Sequence, residues 1–147
     1  MCDDDAYLEI LKKAEADGEV IYHGEQKNME PFFRTAHCVV HPSYYPEGMS
    51  NVLLEAAASA RPVIATDRSG CRETVDDGIS GFVIPIKDEK ALIEALECFM
   101  GMTWEARRDM GLAGRKKVER EFDRKIVVKM VVDEVNRCFA EEQQAVQ

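Results

Sequence analysis

The sequence predicts an α/β protein of the doubly wound kind, a parallel sheet with helices on both faces. Two observations predict it. Short apolar runs of strand length, Cys38–His41, Pro62–Thr66 and Gly81–Pro85, recur along the chain. Segments with apolar residues at helical spacing lie between and after them, the order that βαβ connections require. Ligands of such sheets sit beyond the carboxyl ends of the strands, so the loops there are where function is sought.

Taken in order, Ala6–Ala16 places Leu8, Leu11 and Ala14 on one helical face, and Asp17-Gly18 stops it. Val20–His23 reads as a short strand closed by Gly24, and Met29–Thr35 as a short helix with Pro31 near its start. The strand at Cys38–His41 ends at Pro42-Ser43, and a polar loop runs on to Gly48. Val52–Ala58 is an alanine-rich apolar helix, followed by the strand Pro62–Thr66, a turn at Asp76-Asp77-Gly78 and the strand Gly81–Pro85. Helices at Asp88–Met100, Trp104–Glu121 and Arg124–Phe139 close the chain, with a frayed acidic tail expected from Glu141. No internal repeat or linker divides residues 1–147, which read as a single domain.

A net charge of −9 argues against nucleic acid, whose phosphates demand a basic face. No apolar run approaches the ~18 residues of a membrane span, and the acidic start Asp3-Asp4-Asp5 is unlike a signal peptide. The expected location is therefore the cytoplasm. Five cysteines without paired spacing suit reduced thiols, and neither they nor His23, His37 and His41 make a metal pattern, so no metal is expected.

One place stands out on physical grounds. The strand at Cys38–His41 feeds the loop Pro42–Met49 and then a helix that begins near Asn51. Gly48 permits close backbone approach, and Ser50 is placed to cap the helix. Free N–H groups of Met49, Ser50, Asn51 and Val52, with the helix dipole behind them, make a site for phosphate oxygens. Glu47 stands just before this turn and Glu55 one turn into the helix.

The segment Glu47-Gly48-Met49-Ser50-Asn51-Val52-Leu53-Leu54-Glu55 resembles the E-x7-E signature of retaining GT-B glycosyltransferases, the family 4 group in particular. His41-Pro42-Ser43 before it is similar to that family, as are Ala56–Thr66, Gly70–Val75 and Asp77–Val83 after it. The resemblance runs in order from about Val20 to Phe122. It implies a Rossmann-like domain, the C-terminal half of a GT-B enzyme, that binds a UDP- or GDP-hexose as substrate, with no cofactor.

By the same resemblance, Glu47 would hold the hexose hydroxyls and act at the catalytic centre, and Glu55 would accept from the ribose hydroxyls. A carboxylate suits that second role because it can accept from two neighbouring hydroxyls at once. Gly48, Met49, Ser50, Asn51 and Val52 would present the donor-binding backbone, and His23-Gly24 would border the base. Arg68, just past a strand end, would sit on the cleft rim. Two positions depart from the family: Ala60 stands where glycine is usual, and Ser50 where glycine or proline is common.

The resemblance also implies diphosphate-neutralising cations and an acceptor-binding domain upstream of this sequence, supplied by a missing N-terminal domain or a partner chain. The expected role is retaining, metal-independent hexosyl transfer in polysaccharide or glycolipid assembly, peripheral to the inner face of the membrane. The competing readings are a non-catalytic nucleotide-sugar-binding or regulatory fragment, and an epimerase of similar fold. Glu73 reads as a structural or capping residue, Tyr44-Tyr45 as loop packing, and Trp104, Phe122 and Phe139 as core or interface. The final helix carries apolar residues on more than one stripe, among them Val128 and Val132; the resemblance implies that it crosses back toward the N-terminal domain, and without that cover such a surface is expected to self-associate or bind a partner.

Overall fold

The computed structural model describes residues 4–46 and 48–145. Its elements in order are α1 (Asp4–Ala16), α2 (Glu30–Thr35), β1 (Val39–His41), α3 (Asn51–Ala58), β2 (Val63–Thr66), β3 (Gly81–Ile84), α4 (Glu89–Gly101), α5 (Trp104–Glu121) and α6 (Arg124–Ala145). The three strands form one parallel sheet in the order β1-β2-β3. Val39 lies opposite Val63, and Val63 opposite Gly81.

The sheet is covered on both faces, as the sequence leads one to expect. Alternate side chains of a strand point to opposite faces. Val63 and Ala65 of β2 join Phe33, Leu53 and Ala56 in one buried cluster. Ile64, between them, joins Ile84 and Ala95 in the other, against Leu92 and Leu96 of α4. Central β2 is buried at every position, and each fully buried Leu, Val or Ile contributes about 1.5–3 kcal/mol.

Helix α3 makes the crossover from β1 to β2, and α5 packs over it. The close packing relies on glycine. A Cβ at Gly111 would stand 2.2 Å from the Ala60 carbonyl oxygen, whereas one at Gly114 would make ordinary 3.6 Å contacts with Ala57 and Ser80. The carboxyl end of α3 closes with the Arg61 N–H on the Ala56 carbonyl and the Ala60 N–H on the Ala57 carbonyl, at 3.0 and 2.9 Å. That pattern needs a left-handed residue between, and Ala60 fills it at φ 54°. The departure from glycine at this position therefore falls on a strained angle.

Several expectations need correcting. Val20–His23 forms no strand. Ile21 is 76% exposed, and the Tyr22 N–H donates to Glu15 Oε1 rather than to a sheet. An apolar run with nothing to cover it gains no burial to offset its ordering. The connection from β2 to β3 carries a short 3-10 turn, Arg72–Thr74, where the sequence marked no element. Trp104 and Phe139 lie on the surface, 66% and 61% exposed, which removes the core reading and leaves the interface one. The acidic tail continues α6 to Ala145 instead of fraying at Glu141.

One buried charge went unread in the sequence. Lys117 of α5 is buried, with its Nζ 2.8 Å from Asp76 Oδ1 and 2.8 Å from Glu121 Oε2. Burial acts to lower its pKa, but the two carboxylates outweigh this and raise it. The cluster ties α5 to the turn that launches β3.

Candidate functional site

The loop after β1 is fixed at one end by the last residue of β2 and at the other by the loop that follows β2. The Thr66 hydroxyl donates to the Ser43 carbonyl near the start of the loop. At its far end the Ser50 N–H donates to the Gly70 carbonyl at 2.8 Å. Gly70 can take this position because its φ of 91° is open to glycine. Its own N–H donates to Glu73 Oε2 at 2.7 Å. Glu73 thus has the structural role expected of it. Its own N–H, the Gly70 N–H and Arg72 hold its carboxyl below the usual range despite some desolvation. Between the two anchors lies Glu47, which is outside the described residues.

Ser50 stands at the N-cap of α3 with extended backbone, yet its hydroxyl makes no cap hydrogen bond. The expected set of free N–H groups is therefore shifted. The Ser50 N–H is spent on Gly70, and the donors of the first helical turn, Asn51, Val52 and Leu53, lack a side-chain cap. That turn carries no acidic residue. Gly48, Met49, Asn51 and Val52 are exposed and Ser50 is buried. The helix end is open, positive in potential and set at the carboxyl end of β1.

Glu55 is exposed on α3 and opens onto a cavity of about 370 Å3 lined by Lys27, Asn28, Met29, Glu30, Phe33 and Ser59. Residues 27–30 are the part of this site that the sequence did not reveal, since a turn without periodicity gives no signal of its own. His23 and Gly24 do not line the cavity. His23 packs edge-on against Phe32 at 4.8 Å, and Gly24 turns the chain at φ 64°.

Arg68 and Arg72 share the loop after β2 but differ in electrostatic state. Arg72 is paired with Asp67 at 2.9 Å and with Glu73 at 3.5 Å. The Arg68 side chain is half-buried and makes no ion pair among the described residues. Its charge is thus unneutralised near the strand ends. A separate cavity of about 350 Å3, which Arg68 does not line, is bounded by Tyr44, Thr66 and Lys87 among others. Tyr44 and Tyr45 stack on one another at 4.3 Å with the Lys87 ammonium 4.8 Å from the Tyr44 ring, the loop packing expected of them. Among the described residues no group of His, Cys, Asp and Glu could hold a metal ion, and no helix is long and apolar enough to cross a membrane.

Residues 3–101, most of the chain, match the family described as "Glycosyl transferases group 1". The chain belongs to that family. Curated relatives of the chain include the capsular polysaccharide biosynthesis glycosyltransferase CapM of Staphylococcus aureus. It is 35% identical over 96 residues, 65% of this chain and 25% of CapM. The fold is also that of sucrose-phosphate synthase from Thermosynechococcus elongatus, with a TM-score of 0.81 and 24% identity over 93% of this chain and 34% of the synthase. Anabaena HepE, solved in complex with UDP, superposes with a TM-score of 0.80 at 18% identity, covering 93% of this chain and 38% of HepE. The chain thus spans between a quarter and two fifths of these relatives, and its sheet is the Rossmann-like half of the GT-B plan.

Proposed function

We propose that this chain is the donor-binding module of a glycosyltransferase that draws a hexose from UDP or GDP in polysaccharide or glycolipid assembly. One observation carries the reading: an uncapped helix N-terminus at the carboxyl end of β1, with Glu55 one turn along the same helix and open to a cavity. A nucleoside diphosphate spans that arrangement. Its phosphate oxygens meet the N–H groups of Asn51 and Val52, where the helix dipole favours negative charge. Its ribose meets Glu55, and the cavity beside Lys27 and Asn28 takes the base. Gly48 and Met49 flank the sugar, and Glu47 is the group for the hexose hydroxyls.

Transfer breaks the bond from the anomeric carbon to the diphosphate, so charge grows on the leaving phosphate. Donors aimed at that charge favour the transition state more than the ground state. The α3 N-terminus and Arg68 supply part of this, and an acceptor domain or partner chain supplies the rest. The reaction proceeds with retention and without a metal. HepE's complex with UDP supports the choice of nucleotide, and CapM's role supports the pathway class.

Calorimetry with UDP, GDP and their hexose forms tests the assignment. Glu55→Gln is expected to weaken every nucleotide by about 1.5–3 kcal/mol, through loss of charge-assisted bonds. Glu47→Gln is expected to spare UDP and GDP and weaken only the sugar-bearing donors. Equal effects of both changes on all ligands would overturn the division of roles. Turnover by this chain alone would overturn the view that it is a module.

A further inference from the structure

The loop that follows β2 is bonded to itself. The Cys71 and Arg72 N–H groups both donate to the Arg68 carbonyl, each at 3.0 Å, and the Arg68 N–H donates to the Thr66 carbonyl at 2.7 Å. The Thr74 hydroxyl closes on the Cys71 carbonyl at 2.6 Å. The underside of the loop is buried through Cys71, Thr74 and Val75. Cys71 and Val75 share an apolar cluster with Leu53 and Ala56 of α3. Close packing thus seats this loop against the helix.

Gly70 joins the loop to the start of α3. Its carbonyl accepts from the Ser50 N–H at 2.8 Å, and its N–H donates to Glu73 Oε2 at 2.7 Å. A glycine at φ 91° has no side chain to fix it and turns easily about its own bonds. The Glu73 bond removes that freedom by pinning the peptide on one side of Gly70, so the carbonyl on the other side stays aimed at Ser50. Ser50 is held in turn at both ends, its N–H by Gly70 and its carbonyl by the Leu54 N–H at 3.1 Å. The chain is still extended there, at φ −72° and ψ 106°, and enters the helix at the next residue.

This way of fixing a helix start differs from an ordinary cap. A serine cap spends its hydroxyl on an N–H of the first turn. The Ser50 hydroxyl makes no such bond. Ser50 is held by its N–H instead, which leaves the Asn51 and Val52 N–H groups for a ligand. We infer that Glu73 is a positioning residue of the donor site: through Gly70 and Ser50 it aims the Asn51 and Val52 N–H groups at the donor's diphosphate. The inference rests on the proposed nucleotide site and adds to it a residue that touches no substrate. Donors fixed before the ligand arrives need no ordering when it binds, which favours affinity.

UDP binding by the full chain, followed by calorimetry, should weaken about tenfold in Glu73→Ala, near the worth of one hydrogen bond. Its Tm should change little, because the loop keeps its buried seat. Glu73→Gln, whose amide oxygen still accepts from Gly70, should recover most of the affinity. Arg72→Gln, which removes the neighbouring charge and leaves the Gly70 bond, should not reproduce the loss. A residue that served stability alone would lower Tm and leave the UDP affinity of the folded chain unaltered, and that result would overturn the proposal. Equal affinities of the Gln and Ala variants would do the same. Amide hydrogen exchange without nucleotide keeps this test separate from the proposed function. The Ser50 N–H should be protected in the unaltered chain and exchange faster in Glu73→Ala, while the amides of β2 keep their rates. If the unaltered chain binds no UDP, the nucleotide reading falls and the Ser50 rates decide the relay. Equal protection of Ser50 in both chains would refute it.

Discussion

Gly111 of α5 lies against the carbonyl oxygen of Ala60, so close that a Cβ would stand 2.2 Å from it. The neighbour is backbone and cannot swing aside. Gly111→Ala is therefore expected to push α5 off the end of α3 and destabilise the fold by about 1–3 kcal/mol. Gly114→Ala, with only 3.6 Å contacts, should be close to neutral. Urea denaturation of the two variants decides it, and equal midpoints would refute the packing argument.

Ala60 itself holds a left-handed angle, φ 54°. An L side chain there costs about 1 kcal/mol relative to glycine. Ala60→Gly should stabilise the chain by somewhat less, about 0.5 kcal/mol, because glycine also loosens the unfolded chain. The expected sign is a rise in Tm, and a fall would show that the Ala60 methyl makes packing contacts that outweigh the strain.

The Lys117 cluster links stability to pH. Bonds from Lys117 and Arg120 depress the Glu121 carboxyl pKa below its usual value. A group depressed on folding contributes stability above its unfolded pKa and loses it as pH falls through the folded value. Lys117 is raised, so its contribution is present below the ordinary lysine pKa and is lost as pH rises through the higher folded value. Stability should thus fall as pH drops below the ordinary glutamate range and through the depressed folded value of Glu121. Lys117→Met should flatten that acid limb, which urea titrations at several pH values would show.

Burial pushes the Cys38 thiol up to about 11, a backbone hydrogen bond with Val39 lowering it only in part. The thiolate is the reacting form. At neutral pH Cys98 and Cys138, both exposed, should react quickly with an aromatic disulfide, while Cys38 and buried Cys71 react only as the fold opens. Rapid labelling of Cys38 in native buffer would contradict its placement beneath β1.

Arg68→Gln should weaken UDP-hexose binding several-fold with no loss of stability, since the side chain has no ion pair among the described residues to break. Arg72→Gln, which breaks exposed pairs to Asp67 and Glu73, should leave binding nearly unchanged. Calorimetry and thermal melts of both proteins separate the two effects.

What could be read in advance follows the range of the interactions involved. Strands β1, β2 and β3 and helices α3, α4 and α5 were legible within a residue or two, because local periodicity and punctuation specify them. Val20–His23 was misread because a strand also needs a neighbour, and no local pattern records whether one is there. The open α3 N-terminus at the carboxyl end of β1 was legible in the sequence. That the Ser50 N–H belongs to Gly70 was not, because the bond joins loops twenty residues apart in the chain. The same holds for Lys117 and Asp76, which meet across 41 positions.

The exposed α6 also bears on how long such a chain survives. Its cover is not the sheet, so unwinding this helix costs none of the stability that the two cores provide. Wherever α6 stands uncovered, a protease or a quality-control factor that recognises exposed valine and phenylalanine would find it accessible without waiting for global unfolding. The lifetime of the chain in a cell is then set by how fully α6 is occupied. A protein made in excess of whatever covers α6 would be removed down to the amount that is covered.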